Sequence, residues 1–304
     1  MTPHVSIVIL NWNGLKDTIE CLESLQKVTY PNYEVTVVDN ASEGDDVEVL
    51  RERFAGYVHV IANDKNYGFA KGNNIGIRHA LERNGAYVFL LNNDTVVDPE
   101  ALTELVALAE ADRELGILCP LVYWYDRPDK VWFGGGFKVD LWRGTCTLNR
   151  RLDFSQPIIP SEVATGAAML IRRETIEKVG LLPEYHFFGV EDFDYSIQAL
   201  RQGFRIAVAA KAKVWHKGSR SETGASVVRM RYSYRGWQMM RRKYLSTAGY
   251  LLATVYGLAC AGIQFSTVLF GYVCRGDWRG VFVVLQKTAQ AIKGTIQGSF
   301  SKVQ

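Results

Sequence analysis

Two short clusters of acidic and amide side chains are the strongest candidates for chemistry in this sequence. Asn92-Asn93-Asp94 ends the apolar run Tyr87–Leu91, and Glu191-Asp192-Phe193-Asp194 follows the apolar approach Phe187–Gly189. Oxygen ligands of this kind meet hard cations, and a carboxylate whose pKa is raised by apolar surroundings serves as a general base. Asn and Asp also form ordinary turns, and acidic residues commonly begin helices, so each cluster has a structural interpretation as well.

Strand and helix patterns alternate on both sides of the first cluster. Apolar positions at helical spacing, as in Leu15–Leu25, separate short runs that are rich in β-branched residues. This alternation indicates βαβ units and predicts an α/β fold with a doubly wound, mostly parallel sheet over residues 1–122. The predicted strands are Val5–Leu10, Glu34–Val38, Val58–Ala62, Tyr87–Leu91 and Gly116–Val122. A further, short strand is predicted later in the chain, at Arg205–Val208.

Polar residues follow three of these strands and predict one binding rim. Asn11, Asp39 and Asp94 stand at strand ends, and open α/β sheets bind ligands beyond the carboxyl ends of their strands. The glycine-rich stretch Asn66–Gly76 lets the backbone approach a ligand and leads into a helix whose N-terminus favours a phosphate. Its glycine spacing is neither the dinucleotide fingerprint nor a Walker loop, so a nucleotide is expected without a conventional NAD or ATP site. His216 follows a later strand and could complete a metal site with Asp94, although a lone histidine is usually structural.

Composition limits the class of protein. The chain has 304 residues and a formal net charge of +3, which is too mild to argue for nucleic acid as a partner. Its five cysteines show neither C-x-x-C pairing nor zinc spacing, which predicts reduced residues of a cytosolic protein. The first predicted strand begins within a few residues of Met1, so we expect no secretory signal.

Two stretches have more than one interpretation. Beyond Val122, tryptophans and tyrosines mix with glycines, as in Trp132–Gly136, which predicts either a loose core or a platform for sugar rings. Near the C-terminus, the basic and aromatic segment Arg229–Lys243 precedes the almost uncharged Leu245–Cys274. We expect association with a membrane surface or a membrane span there, with a buried helical hairpin as the alternative. An amphipathic helix is predicted at Val281–Ile296.

Taken together, these motifs resemble the family 2 glycosyltransferases, most closely their non-processive, rhamnosyltransferase-like branch. The resemblance covers about the first four-fifths of the chain. It implies a GT-A fold, a divalent cation (Mg²⁺ or Mn²⁺) and inverting transfer of a sugar from a nucleoside-diphosphate sugar. The matching segments, in family order, are Val5–Asn13, Val37–Ser42, Asn66–Gly76, Leu90–Thr95, Thr165–Arg172, Gly189–Asp194 and Trp215-His216.

The resemblance also implies a role for individual residues. Asp94 and His216 match metal ligands, and Thr165 and Gly166 lie where acceptor and donor sugar meet. Asp192 matches the general base, with Glu191 orienting the acceptor. The residues that match the donor site are Asn11, Asp39, Asn66, Gly68, Ala70, Asn73, Asn92 and Asn93, with Asp39 near the nucleobase.

One position departs from the family pattern, since Asn92 replaces the first acid of the D-x-D motif. The loss of a charge favours weaker or more Mg²⁺-like binding. It is also the single hint of an alternative, a non-catalytic nucleotide-sugar-binding relative.

The expected organisation is a GT-A domain over residues 1–225, divided at residue 122, and a membrane-associated helical region over 226–304. The expected donor is dTDP-rhamnose, with a UDP-hexose or UDP-HexNAc as the alternative. A saccharide or lipid-linked acceptor is expected at the cytoplasmic face of the inner membrane, in the synthesis of cell-surface polysaccharide.

Overall fold

The structure is a computed structural model that describes residues 2–148, 152–218, 223–274, 276–279 and 282. The chain divides into two compact units, Met1–Lys243 and Tyr244–Gln304. In chain order the first half contains β1 (Val5–Asn11), α1 (Leu15–Leu25), β2 (Tyr33–Asp39), α2 (Asp46–Arg53), β3 (Val58–Ala62), α3 (Gly68–Glu82), β4 (Tyr87–Asn92), β5 (Thr95–Val97) and α4 (Ala101–Ala111). It continues with β6 (Leu115–Trp124), β7 (Val131–Phe133), β8 (Phe137–Asp140), β9 (Thr145–Leu148), β10 (Ile158–Ser161), β11 (Ala168–Arg172), α5 (Arg173–Val179), α6 (Glu191–Arg201), β12 (Arg205–His216), α7 (Thr223–Tyr244) and α8 (Thr247–Cys274).

A central sheet in the first unit has the strand order β10-β12-β6-β11-β4-β1-β2-β3, with β5 paired to β12 and β7 to β6. The strands β4, β1, β2 and β3 are parallel, as the sequence predicts. The predicted fifth strand, β6, does not continue this set, because β11 lies between β4 and β6 and runs antiparallel to β4. The sheet is therefore mostly parallel with antiparallel insertions, and β8 and β9 form a separate hairpin.

Helices cover both faces of the sheet, because side chains alternate between the faces along each strand. On β1, Ile7 and Ile9 pack in one core with α1, α2 and α4. Val8 points to the opposite face and packs in a second core with α3, α5 and α6. The tight packing of α3 depends on Gly72 and Gly76, where an added Cβ would lie 2.5 Å from Leu10 Cδ1 and 2.3 Å from Val8 Cγ1. These two glycines thus face the sheet, and the expectation that they approach a ligand is wrong for them.

The strand that ends at His216 is longer than the sequence suggested. A short strand was expected at Arg205–Val208, whereas β12 runs for 12 residues to His216, with an irregularity between Ala209 and Lys213. Its last residues pair with β5, where His216 lies opposite Thr95. This pairing carries the histidine to the loop that follows β4.

The C-terminal part of the chain is helical in its described residues. Among the residues described, no helix is long and apolar enough to cross a membrane. On α8, Leu251, Leu252 and Val255 are 58–65% exposed. The predicted amphipathic helix Val281–Ile296 lies, apart from residue 282, outside the described residues.

Candidate active site

The carboxyl ends of β1 and β2 are joined by a buried polar network. Asn11 Nδ2 donates to Asp39 Oδ2 at 2.7 Å and to Asp46 Oδ2 at 2.8 Å, while Asn11 Oδ1 accepts from Thr18 Oγ1 at 2.7 Å. The backbone N–H of Ser42 donates to Asp39 Oδ1 at 2.9 Å. Asn11 and Asp39 are both at most 1% exposed, so they brace the rim from beneath. Their contact with a nucleoside stays a prediction.

A residue that the sequence analysis did not single out, Asn40, fixes the glycine-rich loop. Its Nδ2 donates to Asn66 Oδ1 at 2.9 Å and to the carbonyl of Gly68 at 3.2 Å, and its Oδ1 accepts the N–H of Tyr67 at 3.2 Å. Asn40 is buried beside Asp39, at a strand end, and that position is the signal that could have identified it. The side chain of Asn40 therefore holds the glycine-rich loop to the rim, with its Nδ2 as donor and its Oδ1 as acceptor.

The beginning of α3 combines a glycine in the left-handed region with buried residues. Gly68 adopts φ +78°, which favours glycine. Ala70 is fully buried, and Asn73, 2% exposed, donates through Nδ2 to the carbonyl of Phe69 at 3.0 Å. Among the residues of this segment that were predicted to bind the sugar donor, Asn66 lies in the loop and Gly68 begins α3. The side chains of Ala70 and Asn73 are buried where α3 packs.

The glycine-rich loop meets the approach to the second acidic cluster. The N–H of Phe69 donates to the carbonyl of Phe187 at 2.9 Å. A Cβ on Gly68 would lie 2.5 Å from that same carbonyl oxygen. The fold thus brings two predicted parts of the site into direct contact, although more than one hundred residues separate them in the chain.

After β4, the first cluster divides into a structural and a ligand-facing part. Asn93 Nδ2 donates to Thr18 Oγ1 at 3.0 Å, which ties it to α1. Asp94 Oδ1 lies 3.1 Å from His216 Nε2, and Asn92 Nδ2 lies 3.5 Å from the same nitrogen. Asp94 and His216 therefore converge as the sequence predicts.

The donor set at this point fits a divalent cation that takes its other ligands from substrate and water. Among the described residues, no group of three or more His, Cys, Asp or Glu side chains could hold a metal. Neighbouring ligands on an octahedral ion with bonds of about 2.1 Å lie about 3 Å apart, which matches the Asp94–His216 separation. One carboxylate and one imidazole, with the Asp94 side chain 17% exposed, suit Mg²⁺ or Mn²⁺ bound to a diphosphate.

A partly buried lysine, Lys217, holds this pair against α1. Lys217 Nζ lies 2.5 Å from both Asp17 Oδ1 and Glu20 Oε2, and Tyr125 donates through its hydroxyl to Glu20 Oε1 at 2.6 Å. Burial acts to lower the pKa of Lys217, but hydrogen bonds to the two carboxylates outweigh it and raise that pKa. Hydrogen bonds from Lys217 and Tyr125 lower the pKa of Glu20. We call Lys217, Asp17 and Glu20 the lysine clamp; the sequence analysis did not identify it.

The predicted base lies on the first turn of α6, beside the predicted acceptor turn. Asp192 Oδ2 accepts the N–H of Gly166 at 2.9 Å, and Asp192 Oδ1 accepts the N–H of Phe193 at 2.9 Å. The aromatic ring of Phe69 lies 3.2 Å from the position of a Cβ on Gly166. Thr165, which is 6% exposed, directs its N–H to a cysteine inside the core. Gly166 is therefore the member of the predicted pair that touches the base.

The neighbouring carboxyl groups of Glu191 and Asp192 both have a raised pKa. Glu191 Oε2 accepts the N–H groups of Gly189 at 2.5 Å and Val190 at 3.0 Å, and it is 5% exposed. Burial raises the pKa of Asp192, and burial together with the negative charge of Asp192 raises the pKa of Glu191. A carboxyl group whose pKa is raised toward neutrality is suited to accept a proton from a hydroxyl group.

The third acid of the cluster, Asp194, is structural. It is fully buried and accepts hydrogen bonds from His186 Nε2 at 2.8 Å, from Lys243 Nζ at 3.2 Å and from the hydroxyl of Tyr185. Lys243 lies at the end of α7, so this carboxylate ties that helix to α6. No local pattern in the sequence indicates this role, because Lys243 is 49 residues away in the chain.

The chain has a GT-A-like fold. The chain is similar in fold to the mannosyltransferase PcManGT from Pyrobaculum calidifontis, with a TM-score of 0.64 at 16% identity over 96% of this chain and 81% of that one. It is also similar to GalNAc-T7, with a TM-score of 0.60 at 22% identity over 76% of this chain and 48% of that one.

The family model described as Glycosyl transferase family 2 matches residues 6–180, and the chain belongs to this family. Two relatives are the low-salt glycan biosynthesis hexosyltransferase Agl10 of Haloferax volcanii and the dTDP-rhamnosyl transferase RfbF of Shigella flexneri. Agl10 is 23% identical over 100% of this chain and 92% of its own length. RfbF is 22% identical over 71% of this chain and 70% of its own length. The chain is therefore a glycosyltransferase.

Proposed function

We propose that the protein transfers a sugar from a nucleoside-diphosphate donor to a hydroxyl group with inversion at the anomeric carbon. The observation that carries the proposal is the position of Asp192, whose carboxylate accepts the N–H of Gly166. The ring of Phe69, from the glycine-rich stretch, adjoins the same glycine. A base at the junction of the two halves can reach an acceptor hydroxyl beside the donor sugar.

The proposed step replaces one C–O bond at the anomeric carbon by another and moves one proton. The acceptor oxygen attacks the anomeric carbon, the bond from that carbon to the diphosphate oxygen breaks, and the acceptor proton passes to Asp192. A carboxylate in this role contributes about 10²- to 10⁴-fold to the rate. Mg²⁺ or Mn²⁺, held by Asp94 and His216, would neutralise charge on the departing diphosphate.

For the donor we propose dTDP-rhamnose, supported by the similarity to RfbF, with a UDP-hexose or UDP-HexNAc as the alternative. For the acceptor we propose a saccharide or lipid-linked saccharide of a cell-surface polysaccharide. Phe187 and Phe188 are 43% and 36% exposed a few residues before Asp192 in the chain, and the exposed part of such rings can pack on a sugar. The proposed location is the cytoplasmic face of the inner membrane, supported by the exposed apolar side chains of α8.

The test is release of nucleoside diphosphate from a panel of UDP-, dTDP- and GDP-sugars with Mg²⁺ or Mn²⁺, alone and with candidate acceptors. We expect one donor to react, and we expect Asp192→Asn to lower the rate at least about 100-fold while donor affinity in calorimetry is kept. Asp94→Ala should abolish the release of nucleoside diphosphate that depends on the cation. A fully active Asp192→Asn variant would refute the base, and absence of donor binding across the panel would contradict the function.

A further inference from the structure

The helix α7 packs against the segment that carries the proposed base. The ring of Tyr232 stacks on Phe187 with centroids 5.4 Å apart, and Trp237 lies 5.6 Å from Phe193. Near its end, Arg241 is buried and donates to two carbonyl groups of the loop after β8. Part of the segment 229–243, expected to contact a membrane, is thus committed to the transferase unit.

A glycine of α7, Gly236, packs directly against this segment. A Cβ on Gly236 would lie 2.1 Å from Val190 Cγ2, where ordinary contact begins near 3.4 Å. Val190 is 1% exposed and β-branched, so its side chain has neither space nor rotameric freedom to move aside. A methyl group at position 236 would therefore displace the backbone of Val190.

Val190 contacts the carboxyl group of Glu191 and belongs to the backbone turn that carries Asp192. Its N–H donates to Glu191 Oε2 at 3.0 Å. Its carbonyl accepts the N–H of Asp194 at 3.0 Å, which closes the first turn of α6 around Asp192. A shift of Val190 would move the turn that carries the base, whereas Asp94 and His216 are bound to other elements.

We propose that Gly236 is a positioning residue for the acceptor step: its missing side chain lets α7 seat Val190 and thereby sets the position of Asp192. The proposal rests on the proposed function, because it assigns Gly236 to the base of that reaction. Alanine has a higher helix propensity than glycine, so Gly236→Ala does not act by weakening α7. A misplacement of roughly 1 Å can lower a rate about 100-fold.

The experiment compares the wild type with Gly236→Ala, Val190→Ala and the double variant. For Gly236→Ala we expect kcat to fall about 100-fold, with donor KM and nucleotide affinity within about two-fold of the wild type. Val190→Ala removes the colliding methyl group, so the double variant should recover kcat to the level of Val190→Ala. Arg235→Ala, at an exposed position of the same helix, is the control and should retain wild-type kcat.

Hydrogen–deuterium exchange at the amides of Gly189 and Val190 supplies a readout that does not need turnover. We expect faster exchange in Gly236→Ala and restored protection in the double variant. Wild-type kcat in Gly236→Ala, unchanged exchange, or a loss that Val190→Ala does not rescue would each overturn the proposal. A wild type that transfers no sugar would instead contradict the proposed function, so the two failures are distinguishable.

Discussion

Replacement of Lys217 by methionine tests how Asp94 and His216, the proposed cation-binding pair, are held in place. The Lys217 side chain is 11% exposed, with Nζ 2.5 Å from Asp17 Oδ1 and from Glu20 Oε2. Its backbone N–H donates to the carbonyl of Asp94 at 3.0 Å, and the residue directly follows His216. Methionine keeps the apolar stem and removes the charge, so Lys217→Met releases this end of β12 from α1 with little loss of packing.

The exposure of the two carboxylates bounds the loss. A hydrogen bond to a charged group contributes about 1.5–3 kcal/mol. Asp17 and Glu20 are 43% and 36% exposed, however, so water replaces Lys217 and the total loss falls to about 1–2 kcal/mol. If all of this free energy holds Asp94 and His216 together, the affinity for Mn²⁺ falls by about 5- to 30-fold.

Calorimetric titration of Mn²⁺, in the presence of the nucleoside diphosphate that the donor panel identifies, measures this affinity. Lys213→Met is the matched control, because Lys213 is exposed on the same strand and should bind Mn²⁺ as the wild type does. A Lys217→Met variant with wild-type Mn²⁺ affinity and a lowered free energy of unfolding would refute the reasoning. The lysine clamp would then stabilise the fold without positioning the cation.

Two further predictions concern the proposed base Asp192 and Gly68 in the glycine-rich stretch. Burial raises the pKa of Asp192, and the base must be ionised to accept a proton. As the pH is lowered, kcat/KM should therefore begin to fall well above pH 3.9, roughly the ordinary pKa of aspartate, while donor affinity is still unchanged. A fall that begins only near the ordinary pKa of aspartate would contradict the assignment. Gly68→Ala should weaken donor binding and lower the free energy of unfolding by about 1–3 kcal/mol more than Gly56→Ala. The two glycines have φ of +78° and +77°, but a Cβ at Gly56 meets nothing within 4 Å, so equal losses in the two variants would rule out collision with Phe187 as the cause.

The parallel half of the sheet could be predicted because its signals are local. Tyr87–Leu91 is a continuous apolar run and Val5–Leu10 is apolar except for Ser6, which is the pattern of strands covered on both faces. The rim followed from the same pattern, since the carboxyl ends of parallel strands meet at one edge. Asp94, His216 and Asp192 could be placed in a site because matching motifs surround each of them.

The rest depends on partners that are distant in the chain. The insertion of β11 between β4 and β6 is set by strand pairing, which its own apolar residues do not encode. The lysine clamp joins Lys217 to Asp17, 200 residues away, and no local pattern distinguishes it from a solvated charge. For β12 a signal was present, since the exposed Lys211 and Lys213 alternate with the buried Ala212 and Val214, as expected of a half-buried strand.

The contacts of Phe187 determine how variants around the site have to be interpreted. Its carbonyl accepts the N–H of Phe69 on the donor side, and its ring stacks on Tyr232 of α7. A collision at Gly68 and one at Gly236 would therefore both act on the segment 187–190. Substitutions that share a contact are not additive in general. The double variant Gly68→Ala/Gly236→Ala measures how far the effects on the donor side and on the base are coupled.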